Sequence, residues 1–125
     1  MSGNYQEIFD NLKVECENVI GGCTTDPDGN ILFVAGEWDP QEDAKAILDT
    51  WLQHGPRISV QGTGFSVLRS EPEALVAKNV TGKGSVLGSI TRGGNYFFAI
   101  CKPTDAEQMG RDLFDVARAA DKMDV

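Results

Sequence analysis

The stretch VTGKGSVLGS, Val80 to Ser89, places three glycines, a lysine and two serines close together. Read as a phosphate loop, it would belong to an α/β nucleotide-binding enzyme; read as a turn between two strands, to an antiparallel sheet. A Walker-type loop needs GxxxxGK followed by Ser or Thr and then a helix, so that backbone N–H groups and the helix N-terminus meet the phosphates. Here Gly82-Lys83 is followed by Gly84, and the residue five before Gly82 is Ala77. The adjoining segment SVLGSIT has the pattern of a strand, and the GxGxxG spacing of a dinucleotide site is missing. The stretch therefore reads as a hairpin turn in which Gly82 and Gly84 supply positive φ.

Outward from that turn the same pattern repeats. RISVQ, TGFSVLRS, ALVAKN, SVLGSIT and NYFFAIC, between Arg57 and Cys101, are short segments rich in β-branched and aromatic residues. Gly62, Glu71-Pro72, Gly82–Gly84 and Arg92-Gly93-Gly94 punctuate them, which predicts a five-stranded antiparallel meander. Upstream, VIGGC and NILFVA flank DPDGN, and the Asp28-Gly29 pair predicts a hairpin over residues 19–35. Tyr5, Ile8, Phe9 and Leu12 fall at helical spacing and predict a helix over residues 3–15. In DPQEDAKAILDTWLQHGP, Asp39 is the expected N-cap, Pro40 the first helical residue and Glu42 the capping-box partner. Ala44, Ile47, Leu48, Trp51 and Leu52 form its apolar stripe; Gly55-Pro56 ends it, with His54 in the last turn. A last helix starts from Thr104 and Glu107 as a capping box and buries Met109, Leu113, Val116, Ala117 and Ala120. The order helix, two strands, helix, five strands, helix predicts an α+β fold, in one domain over residues 1–125.

Composition narrows the function. The formal charge of −8, from 19 acidic and 11 basic residues without a basic run, disfavours nucleic acid and anionic lipid. No apolar run approaches a bilayer-spanning length, and MSGNYQEIFDNLK has neither the basic nor the apolar region of a secretory signal, so a cytoplasmic location is expected. Cys16, Cys23 and Cys101 form no CxxC and have no histidine cluster, so they are expected to be reduced and buried rather than metal ligands. His54, the chain's one histidine, lacks a Ser-His-acid setting, and Glu15/Glu17 and Glu42/Asp43 sit on polar flanks. The chain reads as a non-enzyme without cofactor.

GTGFSVLRSEPEALVAKN followed by TGKGSVLGSITRGGNYFFAICKP resembles the central and C-terminal part of profilins, most closely over residues 62–103. The Asn-Leu near the end of the first helix, DPDGN before a strand and the helix after an extended loop keep the same order, and the compact loops resemble those of Asgard archaeal profilins. The resemblance implies a central antiparallel sheet of six to seven strands, terminal helices packed together on one face and a further helix on the other. It also implies a monomeric, non-catalytic protein of the cytoskeleton that binds monomeric actin and regulates its polymerisation. The implied actin-binding residues are Ser66 and Arg69 on one strand, Lys78 on the next, Lys83 in the glycine turn, and Glu107, Gln108, Arg111 and Asp112 on the last helix.

A second implied site, for proline-rich peptides, needs clustered aromatic rings with polar tips. Its candidates are Tyr5, Phe9, Leu32, Phe33 and Trp38. An expected aromatic position falls at Ile8, the strand position usually held by tryptophan falls at Leu32 or Phe33, and ARAADKM at the end of the last helix has no aromatic residue. Polyproline binding is thus expected to be weak or absent, and phosphoinositide binding is disfavoured by charge. Two alternatives remain open. A roadblock-type homodimeric scaffold regulating small GTPases would have three strands before its last helix, against five segments here. A PAS-like ligand sensor would want polar residues on core faces.

Overall fold

Seven short apolar segments alternate in and out of two hydrophobic cores and so form one sheet. In the computed structural model, which describes residues 4–124, the chain runs α1 (Tyr5–Glu15), β1 (Val19–Thr25), β2 (Ile31–Gly36), α2 (Ala44–Gln53), β3 (Arg57–Val60), β4 (Thr63–Glu71), β5 (Ala74–Lys78), β6 (Ser85–Ile90), β7 (Tyr96–Cys101) and α3 (Ala106–Ala120). The strand order is β2-β1-β7-β6-β5-β4-β3, with antiparallel pairing throughout. All five strands predicted between Arg57 and Cys101 form, two more than the roadblock reading allows. Residue 3, the expected start of the first helix, lies outside the described residues.

The two faces are covered differently. On one, α1 and α3 pack beside each other, and Ile8, Phe9, Leu12, Met109, Val116 and Ala120 meet Val19, Leu87, Phe97 and Ala99 of the sheet. On the other, α2 alone lays Ile47, Leu48 and Trp51 against Phe65, Leu75, Val86 and Phe98. Each of the buried Val, Leu, Ile, Phe and Met side chains among them stabilises the fold by about 1.5–3 kcal/mol on leaving water.

Several helix-end expectations change. The second helix begins at Ala44, not at Pro40, and its N-cap is Asp43. Pro40 heads a preceding turn, its carbonyl accepting from Asp43 N and Ala44 N. Asp43 itself accepts from the Gln61 N–H of the β3–β4 turn at 2.8 Å, a tertiary bond that the local sequence does not announce. Leu52 is 43 % exposed because α2 touches the sheet along one narrow stripe. His54 caps that helix in a left-handed conformation (φ 57°), and its Nδ1 hydrogen-bonds the Ser70 carbonyl at 2.9 Å. In α3 the N-cap is Asp105, one residue after Thr104, and its carboxylate accepts from Gln108 N at 2.7 Å. Cys16, Cys23 and Cys101 are free and buried, as expected.

The glycine stretch is a turn between β5 and β6. Gly82 and Gly84 have φ of 82° and 117°, and a Cβ on Gly84 would lie 2.3 Å from the Cys101 carbonyl oxygen. Asn79 organises the turn, its Oδ1 accepting from Thr81 N (2.9 Å), Thr81 Oγ1 (2.7 Å) and Lys83 N (3.1 Å). Its Nδ2 donates to the Gly64 carbonyl at 2.7 Å, tying the turn to β4.

Candidate functional site

Strand β4 carries an irregularity that builds a surface. Ser66 pairs with Lys78 of β5 and Val67 with Ala77, but the register then shifts and Arg69 pairs with Val76. The extra residue is Leu68. Cross-strand partners share a face, so Ser66, Arg69, Val76 and Lys78 all lie on the side of the sheet that carries α3. Leu68 is left 62 % exposed beside them.

Between this part of the sheet and the first half of α3 runs an apolar groove of about 280 Å³. Val76, Met109 and Leu113 form its base, Gly110 leaves one wall without a side chain, and Leu68, Arg69 and Lys78 stand at the rim. Arg69 pairs with Glu71, whereas neither Lys78 nor Lys83 has an ion-pair partner among the described residues. Lys83 is exposed at the tip of the glycine turn. A second pocket of about 200 Å³ lies under that turn and shares Lys78 and Met109 with the groove.

On α3, Glu107 and Arg111 form an exposed i,i+4 ion pair, and Arg111 also donates to Gln108 Oε1 at 3.1 Å. Asp112 departs from this outward row. It is 1 % exposed, and its carboxylate accepts from Cys16 Sγ (3.2 Å), Asn18 Nδ2 (3.0 Å) and Gln108 Nε2 (2.9 Å). It therefore ties α3 to the segment after α1 and presents no charge to a partner. Cys16, Asp112 and Asp115 could in principle chelate a cation, their donor atoms lying within 4.8 Å of one another. Burial and the Asp112 carboxylate push the Cys16 thiol up to about 12, and the thiol donates its hydrogen to Asp112. Burial, with the nearby Glu15 charge, raises the Asp115 carboxyl as well.

The aromatic candidates are split between the two faces. Tyr5 and Phe9 are buried under α1 and pack on Phe33 of β2, with ring centroids 5.6 and 6.0 Å apart. Leu32, adjacent to Phe33 in an alternating strand, points to the opposite face. Trp38 is 4 % exposed and belongs to the core beneath α2. The five residues thus form no shared open groove.

Sequence reading missed Leu68, Val76, Gly110 and Phe114, which is 64 % exposed on α3 with Arg118 stacked 5.8 Å from its ring. The signal for Phe114 was available: it lies off the apolar stripe of its helix. The signal for Leu68 depends on the strand irregularity and was not.

A seven-stranded antiparallel sheet flanked by terminal helices on one face and a single helix on the other, with its open groove at the α3–β4–β5 junction, is the profilin fold. No protein-family model matches the chain. It is 42% identical over 74 residues to Loki profilin-3 of Lokiarchaeum sp., covering 58% of this chain and 60% of that protein. It is also 30% identical over 59 residues to Thor profilin of a Thorarchaeota archaeon, covering 47% of this chain and 46% of that protein. The matched stretch thus spans about half the length of these curated relatives, 60% of one and 46% of the other. Among solved structures, LokiProfilin2 in complex with rabbit actin superposes with a TM-score of 0.83 at 25% identity, covering 98% of this chain and 96% of that one. The chain thus has the profilin fold and is similar in sequence, over the matched stretch, to profilins of Asgard archaea.

Proposed function

We propose that the chain binds monomeric actin, regulates its polymerisation and acts as a monomer in the cytoplasm, at the cytoskeleton. The observation that carries this reading is the groove between α3 and β4–β5, apolar at its base and cationic at its rim, in a fold like that of LokiProfilin2 in its complex with rabbit actin. Leu68, Leu113 and Phe114 supply apolar contact, and Ser66, Arg69, Lys78 and Lys83 supply polar and charged contact on the sheet side. Glu107, Gln108 and Arg111 extend the surface along α3, and Asp112 holds the helix in place from within. A rigid base of packed strands limits the ordering entropy lost on docking, while the rim charges set association rate and orientation.

Pyrene-actin polymerisation tests the reading, comparing wild type with Arg69→Glu plus Lys83→Glu. Wild type should slow spontaneous assembly and the double variant should not. If wild type leaves assembly unchanged with both eukaryotic and cognate archaeal actins, the reading fails.

A further inference from the structure

The sheet ends at β3, whose outer side pairs with no strand. Ladder geometry fixes which of its backbone groups face outward. The Val67 N–H donates to the Pro56 carbonyl at 2.9 Å, so residues 56, 58 and 60 turn their backbone groups toward β4. Those of Arg57 and Ser59 point away from the sheet and have no hydrogen-bond partner among the described residues. Gln61, next in that outward row, has its N–H met by the Asp43 carboxylate at the start of α2, at 2.8 Å. Asp43 thus closes one end of a groove of about 480 Å³ between β3 and the flank of α2. Ala46 and Thr50, which follow Asp43 at helical spacing, form the helix wall with small side chains, and Arg57 stands at the other end. Arg57 has no ion-pair partner among the described residues. The groove shares no lining residue with the one beside α3.

We propose that this groove binds an extended segment of another protein, added antiparallel to β3 as an eighth strand, basic near its amino end and acidic near its carboxyl end. Unpaired N–H and C=O groups along a strand edge recruit a further strand. Antiparallel addition runs the segment from the Val60 end, beside Asp43, to the Arg57 end, so each charge meets its opposite. Side chains of the segment on the α2 side meet Ala46 and Thr50, which suits small apolar residues there. A second copy of this chain is the poorer occupant. Four residues of edge fall short of the roughly 1,200–2,000 Å² of a stable interface, and two chains of charge −8 repel each other. The inference stands apart from the actin reading.

The probe is the peptide acetyl-Lys-Thr-Val-Thr-Val-Glu-amide, titrated into 15N-labelled protein. Saturable shifts are expected at the Arg57, Ser59 and Gln61 amides. The Arg57 and Ser59 amide protons should exchange with solvent about tenfold more slowly in the complex. The charge-reversed peptide acetyl-Glu-Thr-Val-Thr-Val-Lys-amide should bind about fivefold more weakly. N-methylation of the second threonine, whose N–H faces β3 in this register, should abolish binding. N-methylation of the first valine, whose N–H faces solvent, should not. Ala46→Phe should fill the groove and block the peptide, with its thermal melt unchanged because Ala46 is exposed. Arg57→Glu should come to prefer acetyl-Lys-Thr-Val-Thr-Val-Lys-amide over the first peptide. No saturable shift, shifts without protection of the two outward amides, or equal binding by the peptide methylated at its second threonine would overturn strand addition. Dimers of the unliganded protein in sedimentation, lost in Ala46→Phe, would overturn the peptide as occupant and assign the edge to a second copy.

Discussion

The Tyr5 hydroxyl donates to the Asp124 carboxylate and so joins the first helix to the end of the chain, 119 residues away. Asp124 also accepts from Thr91 Oγ1 at 2.7 Å and Asn95 Nδ2 at 2.9 Å, which fixes the β6–β7 turn in the same knot. Met123 beside it is fully buried, with the Thr24 hydroxyl 3.7 Å from its sulfur. Burial opposes ionisation of Asp124, but the bonds from Thr91, Tyr5 and Asn95 outweigh it and hold the carboxyl below its ordinary value. Burial and the same Asp124 pairing push the Tyr5 hydroxyl up to about 12. The two shifts agree: each favours a neutral phenol facing a carboxylate.

Asp124→Asn should therefore destabilise the fold by about 1–3 kcal/mol at neutral pH, and Tyr5→Phe by about 1 kcal/mol. A carboxyl depressed on folding adds stability above its unfolded value, near 4, and that stability is lost as pH falls through the lower folded value. Tyr5 works in the opposite sense: its contribution is complete below about pH 10 and disappears as pH rises toward 12. Urea melts across pH should show a weaker acid dependence in Asp124→Asn. An acid limb identical to wild type would mean the carboxylate does not hold the latch.

The two turn glycines should separate in the same assay. Gly84→Ala forces a Cβ to 2.3 Å from the Cys101 carbonyl at a positive φ, with backbone on both sides of the clash. A loss of about 2–4 kcal/mol is expected. Gly82 has a positive φ but open space around it, so Gly82→Ala should lose only about 1 kcal/mol. Equal losses would show that the close approach of the turn to β7 is wrong.

The strands and the neighbours within the hairpin and the meander were legible from short apolar segments between turn residues, but the β1–β7 pairing that joins the two groups is long-range and was not. The helix ends were less legible. Asp39 and Thr104 satisfy capping patterns on paper, yet Asp43 is held by Gln61 from another turn and Asp105 reaches Gln108 instead. Asp112 looks like a polar residue on a helix face, and only partners 94 and 96 residues away make it internal. The charged rim, Arg69 and Lys78, came from resemblance and shares one groove in the structure. The exposed Leu68 at the same rim did not, because it depends on the one-residue shift in β4.

Polyproline binding should be absent or weaker than millimolar. Tyr5 and Phe9 are buried, the Tyr5 hydroxyl is already engaged by Asp124, and Trp38 lies on the far side of the sheet. Both tryptophans belong to the core under α2, so their fluorescence is a poor reporter for a ligand on the α1 side. Calorimetric titration with a ten-proline peptide is the suitable measurement. Saturation at micromolar peptide would require the Tyr5–Asp124 latch to open, and Asp124→Asn should then bind more tightly than wild type.

Leu68 and Arg69 should contribute differently to actin binding although they are neighbours. Leu68 is an apolar side chain held out of the core by the strand irregularity, with a 62 % exposure that costs free energy in the unbound protein. Burying it under a partner recovers apolar contact, so Leu68→Ala should cost about 1–2 kcal/mol and act mainly on the dissociation rate. Arg69 lies at the groove edge and is half engaged by Glu71. Arg69→Ala should cost up to about 2 kcal/mol if the guanidinium is central to the interface, and under 1 kcal/mol with a reduced association rate if it stays at the rim. Stopped-flow binding to labelled actin at low and high salt separates the two. A Leu68→Ala effect that disappears in high salt would place the groove outside the interface, since apolar contact is not screened.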